Sequence, residues 1–260
     1  MHKTLIASLI AGAFLVPAVA SAQTAPAPSP FTGNVMLTSE YLYRGIAQSN
    51  GKPAIQGGFD YVNPNGLYVG TWGSSISWLG DMSTTLAPVN APIEIDVYGG
   101  YRNSFAGGDW NYDVGVLTYN YPGSYPVGFV KPDTTEIYGL LGWKWVSLKY
   151  SSVVSSNLFG AVTPTGGDTR GSGYLDLTGN YDLGNGLGLS AHVGHQTVKG
   201  FSAASYNDWK LGVSKDLGFG VLGLYYSDTN AQGGAGEFYR NAFGRDLGQG
   251  RAVLSFSKTL

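Results

Sequence analysis

The sequence of 260 residues contains no cysteine and few charged side chains. Without cysteine, the chain can form no disulfide framework, no thiolate nucleophile and no cysteine metal site. Asp, Glu, Lys and Arg together make up 12% of the residues, about half of the usual share in globular proteins. The formal net charge is −2. A slightly acidic chain lacks the basic surface that nucleic-acid-binding proteins present, so we exclude nucleic acid as a partner.

Long apolar runs are also scarce, and the clearest one lies at the N-terminus. Lys3 precedes an apolar stretch over Leu5–Val16, and Ala20-Ser21-Ala22 matches the small-x-small pattern that signal peptidase accepts. The stretch is too short to cross a bilayer as a helix. It also lacks the polar face that an amphipathic helix of the mature protein would have. We expect residues 1–22 to be a signal peptide cleaved after Ala22, and the proline-rich residues 23–32 to be a flexible linker.

Glycine and tyrosine, by contrast, are abundant, with 40 and 18 copies. Apolar residues recur at every second position over segments of the mature chain. Ile93, Ile95 and Val97, for example, alternate with Glu94 and Asp96. This alternation is typical of β-strands that have one apolar and one polar face. We predict twelve strands, at residues 34–44, 54–62, 66–74, 93–104, 109–120, 134–144, 147–155, 172–183, 186–196, 207–217, 219–228 and 251–260.

The connections between these segments alternate strictly between short and long. Short turns rich in glycine and asparagine, such as Asn63-Pro64-Asn65-Gly66, suit tight hairpins because these residues tolerate positive φ. The long loops are predicted at residues 45–53, 75–92, 121–133, 156–171, 197–206 and 229–250. Strict alternation places all short turns at one end of the sheet and all long loops at the other. Outer-membrane barrels have this asymmetry, which would put both termini in the periplasm.

Strand alternation alone does not say which face of a barrel points outward. A soluble barrel buries its apolar face inside, but a ring of twelve strands encloses more space than apolar side chains fill. A polar, water-filled lumen and an apolar outer wall solve this problem. We therefore predict an all-β fold: a transmembrane, antiparallel, up-and-down β-barrel of about twelve strands over residues 33–260. Its outer wall would contact outer-membrane lipid, and the absence of a polar seam on the strand faces favours a monomer.

Three segments near the start of the mature chain, and its last strand, carry a family resemblance. They are Gly33–Ile46, Pro53–Tyr61, Gly66–Trp72 and Arg251–Leu260. With them, essentially the whole mature chain resembles the TorF family of proteobacterial porins. The resemblance implies insertion by the barrel-assembly machinery and residence in the outer membrane of a Gram-negative bacterium. The family usually has Asp at the position of Glu40 and often ends in Phe where this chain has Leu260, but Leu260 keeps the apolar parity of the last strand.

Charged residues at inward parity are the candidate lining of the lumen. Each is either part of a filter for solutes or a structural ion pair that braces the barrel wall, and the sequence favours neither interpretation. Acids and bases are mixed, so no ion preference follows. We expect Arg44 to lie at the outer end of the first strand and to pair with Asp60 or Glu94. The full set of pore-lining candidates is Glu40, Arg44, Asp60, Glu94, Asp96, Arg102, Asp113, Glu136, Lys144, Lys149, Asp176, Asp182 and Lys210.

We predict that the protein is not an enzyme but an outer-membrane channel for the passive diffusion of small hydrophilic solutes. The alternative is a narrow, non-conducting barrel with a structural or surface-binding role. A minor alternative is an outer-membrane lipid hydrolase that would use His195 on the outer wall, but the residue two positions on is Thr197 and no acyl-transfer motif surrounds it. His192 and His195 lack the spacing of metal ligands, and no glycine pair has the context of a phosphate loop. We therefore expect no cofactor, metal or catalytic residue.

Overall fold

A computed structural model describes residues 29–260, and the predicted signal peptide and most of the predicted linker lie outside these residues. Twelve strands form one closed antiparallel barrel, in which each strand pairs with its neighbour along the chain and the last pairs with the first. The barrel strands are β1 (Phe31–Thr38), β4 (Ala54–Val62), β5 (Leu67–Ser75), β6 (Ile93–Phe105), β7 (Trp110–Asn120), β8 (Thr134–Trp143), β9 (Val146–Val153), β10 (Gly173–Gly184), β11 (Leu187–Thr197), β12 (Tyr206–Asp216), β13 (Val221–Thr229) and β14 (Arg251–Thr259). The predicted fold class is confirmed. Within residues 29–260, no helix is long and apolar enough to cross a membrane.

The bounds of the strands follow the prediction except in the first strand. Strands β4 to β14 of the barrel begin and end within two residues of the predicted positions. The first strand was predicted at 34–44, but β1 begins at Phe31 and ends at Thr38. The N–H of Ser39 still donates to the carbonyl of Leu254 on β14 at 2.8 Å, and after Ser39 the chain leaves the wall and turns into the lumen.

The outward-facing positions of the barrel are apolar and exposed. On β6, Ile93, Ile95 and Val97 are 38–50% exposed, whereas Glu94 and Asp96 between them are buried in the lumen. The other strands repeat this pattern. A water-soluble protein rarely exposes so large a continuous apolar surface, but a barrel in lipid requires it. The polarity of the barrel is therefore the reverse of that of a soluble barrel.

Several glycines of the inner wall stand directly opposite tyrosines on the next strand. Gly70 is the cross-strand partner of Tyr98, and Gly115 is the partner of Tyr138. A Cβ atom at Gly70 would lie 2.4 Å from the ring of Tyr98, and one at Gly115 would lie 2.6 Å from the hydroxyl of Tyr138. Because these glycines have no side chain, the tyrosine rings lie across the neighbouring strand. This pairing accounts in part for the abundance of both residue types in the sequence.

A short hairpin folds from the rim into the lumen. Its strands are β2 (Leu42–Tyr43) and β3 (Ile46–Ala47), joined by a two-residue turn in which Arg44 and Gly45 have φ of 48° and 78°. Two successive positive φ angles are typical of a tight hairpin turn. We call residues 39–53 the lumen hairpin. Tyr41, Leu42 and Ala47 are 1–7% exposed because they pack against the inner wall and the long loops.

Candidate functional site: the lumen hairpin and the cavity at its tip

Arg44, at the tip of the lumen hairpin, contacts three strands on one side of the barrel wall, β8, β10 and β11. Its Nη2 donates to Oε2 of Glu136 on β8 at 2.8 Å, and its Nη1 donates to Oε1 of Gln196 on β11 at 2.7 Å. The guanidinium also lies 4.2 Å from the centre of the Tyr174 ring on β10. The side chains of Arg44 and Glu136 are 8% and 2% exposed. A planar cation that is hydrogen-bonded and stacked in this way has one preferred position, so the contacts fix the tip in the lumen.

The base of the lumen hairpin is held by a second ionic cluster around Glu40. Its Oε1 accepts hydrogen bonds from Nη1 of Arg251 on β14 at 2.9 Å and from the backbone N–H of Gly51 at 2.6 Å. Nη2 of Arg245, from the loop between β13 and β14, lies 3.9 Å from Oε2. Glu40 therefore ties the start and the end of the hairpin to the last strand.

A cavity of about 130 Å³ lies at the tip of the hairpin, inside the barrel. Its wall includes Arg44. The carboxylate, imidazole and ammonium side chains that line it from the strands are those of Lys149, Asp176, His192, Asp208 and Lys210. A space of this size holds several water molecules. The residues come from β9 to β12, and most lie nearer the short-turn end of the barrel than the contacts of Arg44 do. The cavity therefore lies on the short-turn side of the contacts that hold Arg44.

His192 joins the two carboxylates of this cavity. Its Nε2 lies 2.9 Å from Oδ1 of Asp208, and its Nδ1 lies 3.4 Å from Oδ2 of Asp176. The hydroxyl of Tyr174 donates to Oδ2 of Asp208 at 2.9 Å, and that of Thr178 donates to Oδ1 of Asp176 at 2.6 Å. Only an imidazolium donates from both ring nitrogens, and that form would satisfy both carboxylates. The acids of the cavity are therefore engaged by neighbours on the wall.

A glycine permits this network. Gly194 on β11 leaves the space into which the hydroxyl of Tyr174 extends, since a Cβ atom there would lie 2.1 Å from that oxygen. It would also lie 2.7 Å from Oδ2 of Asp208. The missing side chain lets the ring of Tyr174 meet Asp208, two strands away.

The two lysines of the cavity lie over tyrosine rings. The Nζ atom of Lys149 is 4.1 Å from the centre of the Tyr138 ring, and that of Lys210 is 5.3 Å from the centre of the Tyr225 ring. Such contacts with the ring face are weakly stabilising. Among residues 29–260, Lys149 has no carboxylate oxygen within salt-bridge distance.

The remaining inward carboxylates near the short-turn end accept hydrogen bonds from tyrosines. The Tyr98 hydroxyl donates to Oδ1 of Asp60 at 2.8 Å, and the Tyr68 hydroxyl donates to Oδ1 of Asp113 at 2.6 Å. Arg102 lies 4.8 Å from the centre of the Tyr68 ring. These acids therefore brace the wall through the tyrosines that cross it.

Asp96 differs from every other carboxylate of the lumen within the described residues. It is fully buried, and neither of its oxygens has a hydrogen-bond partner. Glu94 lies two positions before Asp96 on β6, and Glu136 on β8 is close enough to interact with Asp96 electrostatically. An ionised carboxylate without donors is costly to bury, so the charged form of Asp96 would destabilise the wall.

We expect Asp96→Asn to leave the barrel as stable as the wild type or to make it more stable. The amide has nearly the same shape, carries no charge and can donate to the neighbouring Glu94 or Glu136. Urea unfolding of the protein in lipid vesicles, followed by tryptophan fluorescence, measures the effect. Asp208→Asn is the matched control, because Asp208 accepts hydrogen bonds from Tyr174 and His192, and it should destabilise the barrel. A loss of stability in Asp96→Asn as large as that in Asp208→Asn would contradict this account.

The structure brings most of the predicted lining residues into the lumen, with four differences. Glu40 lies at the base of the lumen hairpin and not on the first strand, because β1 ends at Thr38. Arg44 lies on the lumen hairpin and pairs with Glu136; its predicted pairing with Asp60 or Glu94 is wrong, because the chain leaves the wall after Ser39. Lys144 is exposed on the turn between β8 and β9, where its Nζ lies 3.7 Å from Oδ2 of Asp109, so it does not line the lumen. Asp182 is exposed near the short turn after β10 and accepts a hydrogen bond from the N–H of Gly184. The candidates with inward parity on the strands are Asp60, Glu94, Asp96, Arg102, Asp113, Glu136, Lys149, Asp176 and Lys210.

Three residues of the site are missing from the predicted lining: His192, Asp208 and Arg251. The sequence pattern could have identified each of them. Asp208 shares the inward parity of Lys210 on β12. Arg251 lies directly before the apolar alternation of β14. His192 shares the parity of Ser190, opposite to that of the apolar residues of β11.

His195, the residue named for the hydrolase alternative, lies exposed on the outer wall. Its Nδ1 is 2.8 Å from Oδ1 of Asn207 on β12. Among residues 29–260, no serine or threonine hydroxyl is hydrogen-bonded to it. A nucleophile activated by this histidine would need such a contact.

Comparison with known proteins places this barrel in a family. A family profile matches residues 22–260. The chain belongs to the Gcw_chp family. Its description is a bacterial protein of unknown function. No curated protein matches the sequence.

Solved structures of similar fold are outer-membrane porins with little sequence identity to the Gcw_chp chain. The NanC porin superposes with a TM-score of 0.54 at 12% identity, over 88% of this chain and 98% of the porin chain. The KdgM porin superposes with a TM-score of 0.50 at 7% identity, over 87% of this chain and 97% of the porin chain. These similarities support the fold; they carry no solute over to this chain.

Proposed function

We propose that this Gcw_chp protein is a channel of the Gram-negative outer membrane that passes small hydrophilic solutes, with the lumen hairpin as its constriction. The observation that carries the proposal is the polar cavity at the tip of the hairpin, inside a barrel whose outer wall is apolar. The barrel fold shared with porins and the resemblance to the TorF family both support it. A pore needs a hydrated lining and an outer wall that tolerates lipid, and the described residues supply both.

The same proposal covers the surroundings of the barrel. The apolar wall would face outer-membrane lipid, and the exposed aromatic residues Trp143, Trp145 and Tyr181 near the short turns would lie at the headgroups. Both ends of the barrel chain lie at the short-turn side, which we assign to the periplasm. We propose a monomer that is inserted by the barrel-assembly machinery. No cofactor or catalytic step is part of the proposal.

One observation favours a second candidate, a narrow barrel that does not conduct. The lumen hairpin is buried, its ends are held by Glu40 and its tip is held by Arg44. Long-loop residues such as Leu79 and Leu158 pack over it at 0% and 5% exposure. If the hairpin never moves, the lumen is closed and the protein has a structural or surface-binding role.

Conductance in planar lipid bilayers separates the two candidates. We expect discrete single-channel steps from wild-type protein that migrates as a folded, heat-modifiable band in gel electrophoresis. The steps should be smaller than those of wide porins, because the hairpin occupies part of the lumen. If the folded protein gives no steps both as wild type and after removal of the lumen hairpin, the channel proposal is overturned. The closed barrel then remains as the candidate.

A further inference from the structure

Two basic side chains lie next to each other at the long-loop rim of the barrel. Arg170 shortly precedes β10, and Lys199 follows β11, the next strand of the wall. Both side chains are exposed. The side chain of Lys199 lies across Gly171, since a Cβ atom built on that glycine would be 3.5 Å from the Nζ atom. The ammonium group is therefore held beside the residue that carries the guanidinium.

These two cations lack an acidic partner. Nη1 of Arg170 donates to the carbonyl of Val154 at 2.8 Å, and Nη2 lies 3.5 Å from Oγ of Ser156. Both contacts are to neutral groups, and a guanidinium has further N–H donors for a ligand. Within the part of the chain that the structure describes, no carboxylate oxygen lies within salt-bridge distance of Arg170 or Lys199. Neighbouring like charges repel each other, so an anion that contacts both is favoured.

The cations border a notch in the outer face of the wall. Gly171 and Gly173, at the start of β10, have no side chain to fill it. Tyr150 on β9 is 52% exposed, and its hydroxyl occupies the space that a Cβ atom of Gly173 would take. Thr197 on β11 is the exposed cross-strand partner of Gly173. We call Tyr150, Arg170, Gly171, Gly173, Thr197 and Lys199 the rim notch. It presents two cations and two hydroxyl groups around a space without side chains.

The wall below the rim notch indicates what kind of anion fits it. On the short-turn side, the outward residues Leu175 and Leu177 of β10 and Val193 of β11 are 45–54% exposed. In a membrane, acyl chains cover such a surface. The rim notch lies where this apolar surface ends, which is the level of the lipid headgroups. Arg and Lys bind phosphate oxygens through charged hydrogen bonds, so a lipid phosphate matches both the notch and the wall below it.

We propose that the rim notch binds the phosphate group of an anionic lipid in the leaflet that faces the long loops. Lys199 and Arg170 contact the phosphate oxygens, and the hydroxyls of Tyr150 and Thr197 donate to the headgroup. The acyl chains lie along the outward face of β10. The inference goes beyond the proposed function and rests on it only for the placement of the barrel in a membrane.

Native mass spectrometry of the folded, detergent-solubilised barrel tests this binding. Dioleoyl phosphatidic acid is the anionic probe, and dioleoyl phosphatidylcholine, which has the same acyl chains but no net charge, is its reference. We expect the wild type to bind phosphatidic acid several times more tightly than phosphatidylcholine. The double variant Arg170→Met/Lys199→Met should bind phosphatidic acid about tenfold more weakly, the combined effect of losing two exposed charge contacts.

Two further variants and a third probe control this experiment. Lys215→Met removes a lysine from the outer wall at the short-turn end, where its Nζ donates to the carbonyl of Asn185, and it should bind phosphatidic acid like the wild type. Lys199→Arg keeps the charge and should retain most of the affinity. Glycerol phosphate, the headgroup without acyl chains, should bind far more weakly than phosphatidic acid.

Three results would overturn the lipid site. They are a wild type that does not prefer phosphatidic acid, a folded double variant that keeps the preference, and glycerol phosphate that binds as tightly as the lipid. Bilayer recordings test the channel separately. A barrel that conducts but shows no preference for phosphatidic acid keeps the channel and loses the lipid site. A barrel that binds phosphatidic acid but gives no steps, with or without the lumen hairpin, keeps the lipid site and loses the channel.

Discussion

Removing the lumen hairpin should raise the single-channel conductance several-fold. Thr38 and Ala54, which flank the hairpin, are already cross-strand partners in the barrel, so an Asn-Gly turn in place of residues 39–53 can join β1 to β4 directly. The variant would lose Arg44 from the lumen and Tyr41 from its packing. The wall of the barrel would remain, because the hairpin contributes no strand to it. Bilayer recordings of wild type and variant, at the same salt concentration, give the comparison.

A shortened long loop at the rim of the barrel is the control for this variant. Deleting Pro164–Gly166, which is exposed in the loop between β9 and β10, should leave the conductance unchanged. The hairpin is not the constriction if its removal leaves the conductance of a folded, heat-modifiable barrel at the wild-type value.

The buried ion pair between Arg44 and Glu136 should be the most sensitive point of the lumen for stability. Arg44→Met would leave Glu136 buried without its cation, which costs about 3–5 kcal/mol for pairs of this kind. Glu136→Gln should also destabilise, since it leaves the guanidinium without its charged partner. Urea unfolding in lipid vesicles reports the change in the free energy of unfolding.

The double variant Arg44→Met/Glu136→Gln distinguishes a pair from two separate effects. Because it leaves neither charge buried alone, its loss of stability should be smaller than the sum of the two single losses. Lys215→Met is the control: this exposed lysine donates to the carbonyl of Asn185, and its loss should change stability by about 0.5 kcal/mol or less. Additive effects of the two single variants would show that Arg44 and Glu136 do not act as a pair.

The stability and conductance experiments together describe how the hairpin is held. If the contacts of Arg44 fix the tip, then Arg44→Met should loosen it, and the single-channel current should fluctuate more than in the wild type. The contacts of Glu40 at the base would remain in that variant. The hairpin would then move about its base, and the twelve-stranded wall around it would stay intact.

The inward and outward faces of the strands could be predicted from the sequence because a strand repeats every two residues. Ile93 and Glu94 occupy opposite faces whatever the barrel encloses. The strand number followed from the turns, since each tight turn near glycine or asparagine ends one strand and starts the next. The asymmetry of the connections then placed the short turns at one end of the barrel and the long loops at the other. These features depend on neighbours along the chain, so they are visible in the sequence alone.

The path of residues 39–53 depended on the tertiary structure. The alternation of β1 continues past Thr38 through Glu40 and Leu42, so a local pattern extends the strand to Arg44. The chain turns inward because Tyr41, Leu42 and Ala47 find packing in the lumen, and because Glu136, Gln196 and Tyr174 surround the guanidinium of Arg44. Those partners lie between about 90 and 150 residues away in the sequence, and no period or motif near Arg44 identifies them.

The sequence by itself determined a closed barrel of twelve strands, its polar interior and its apolar outer wall, because each follows from alternation and turn chemistry along the chain. The tertiary structure alone decided which inward charges meet. It paired Arg44 with Glu136, placed His192 between Asp176 and Asp208, and placed Lys149 and Lys210 beside a cavity. It also left Asp96 without a hydrogen-bond partner among residues 29–260. The physical reason is that barrel closure brings distant strands to one lumen, where contacts depend on register and side-chain reach.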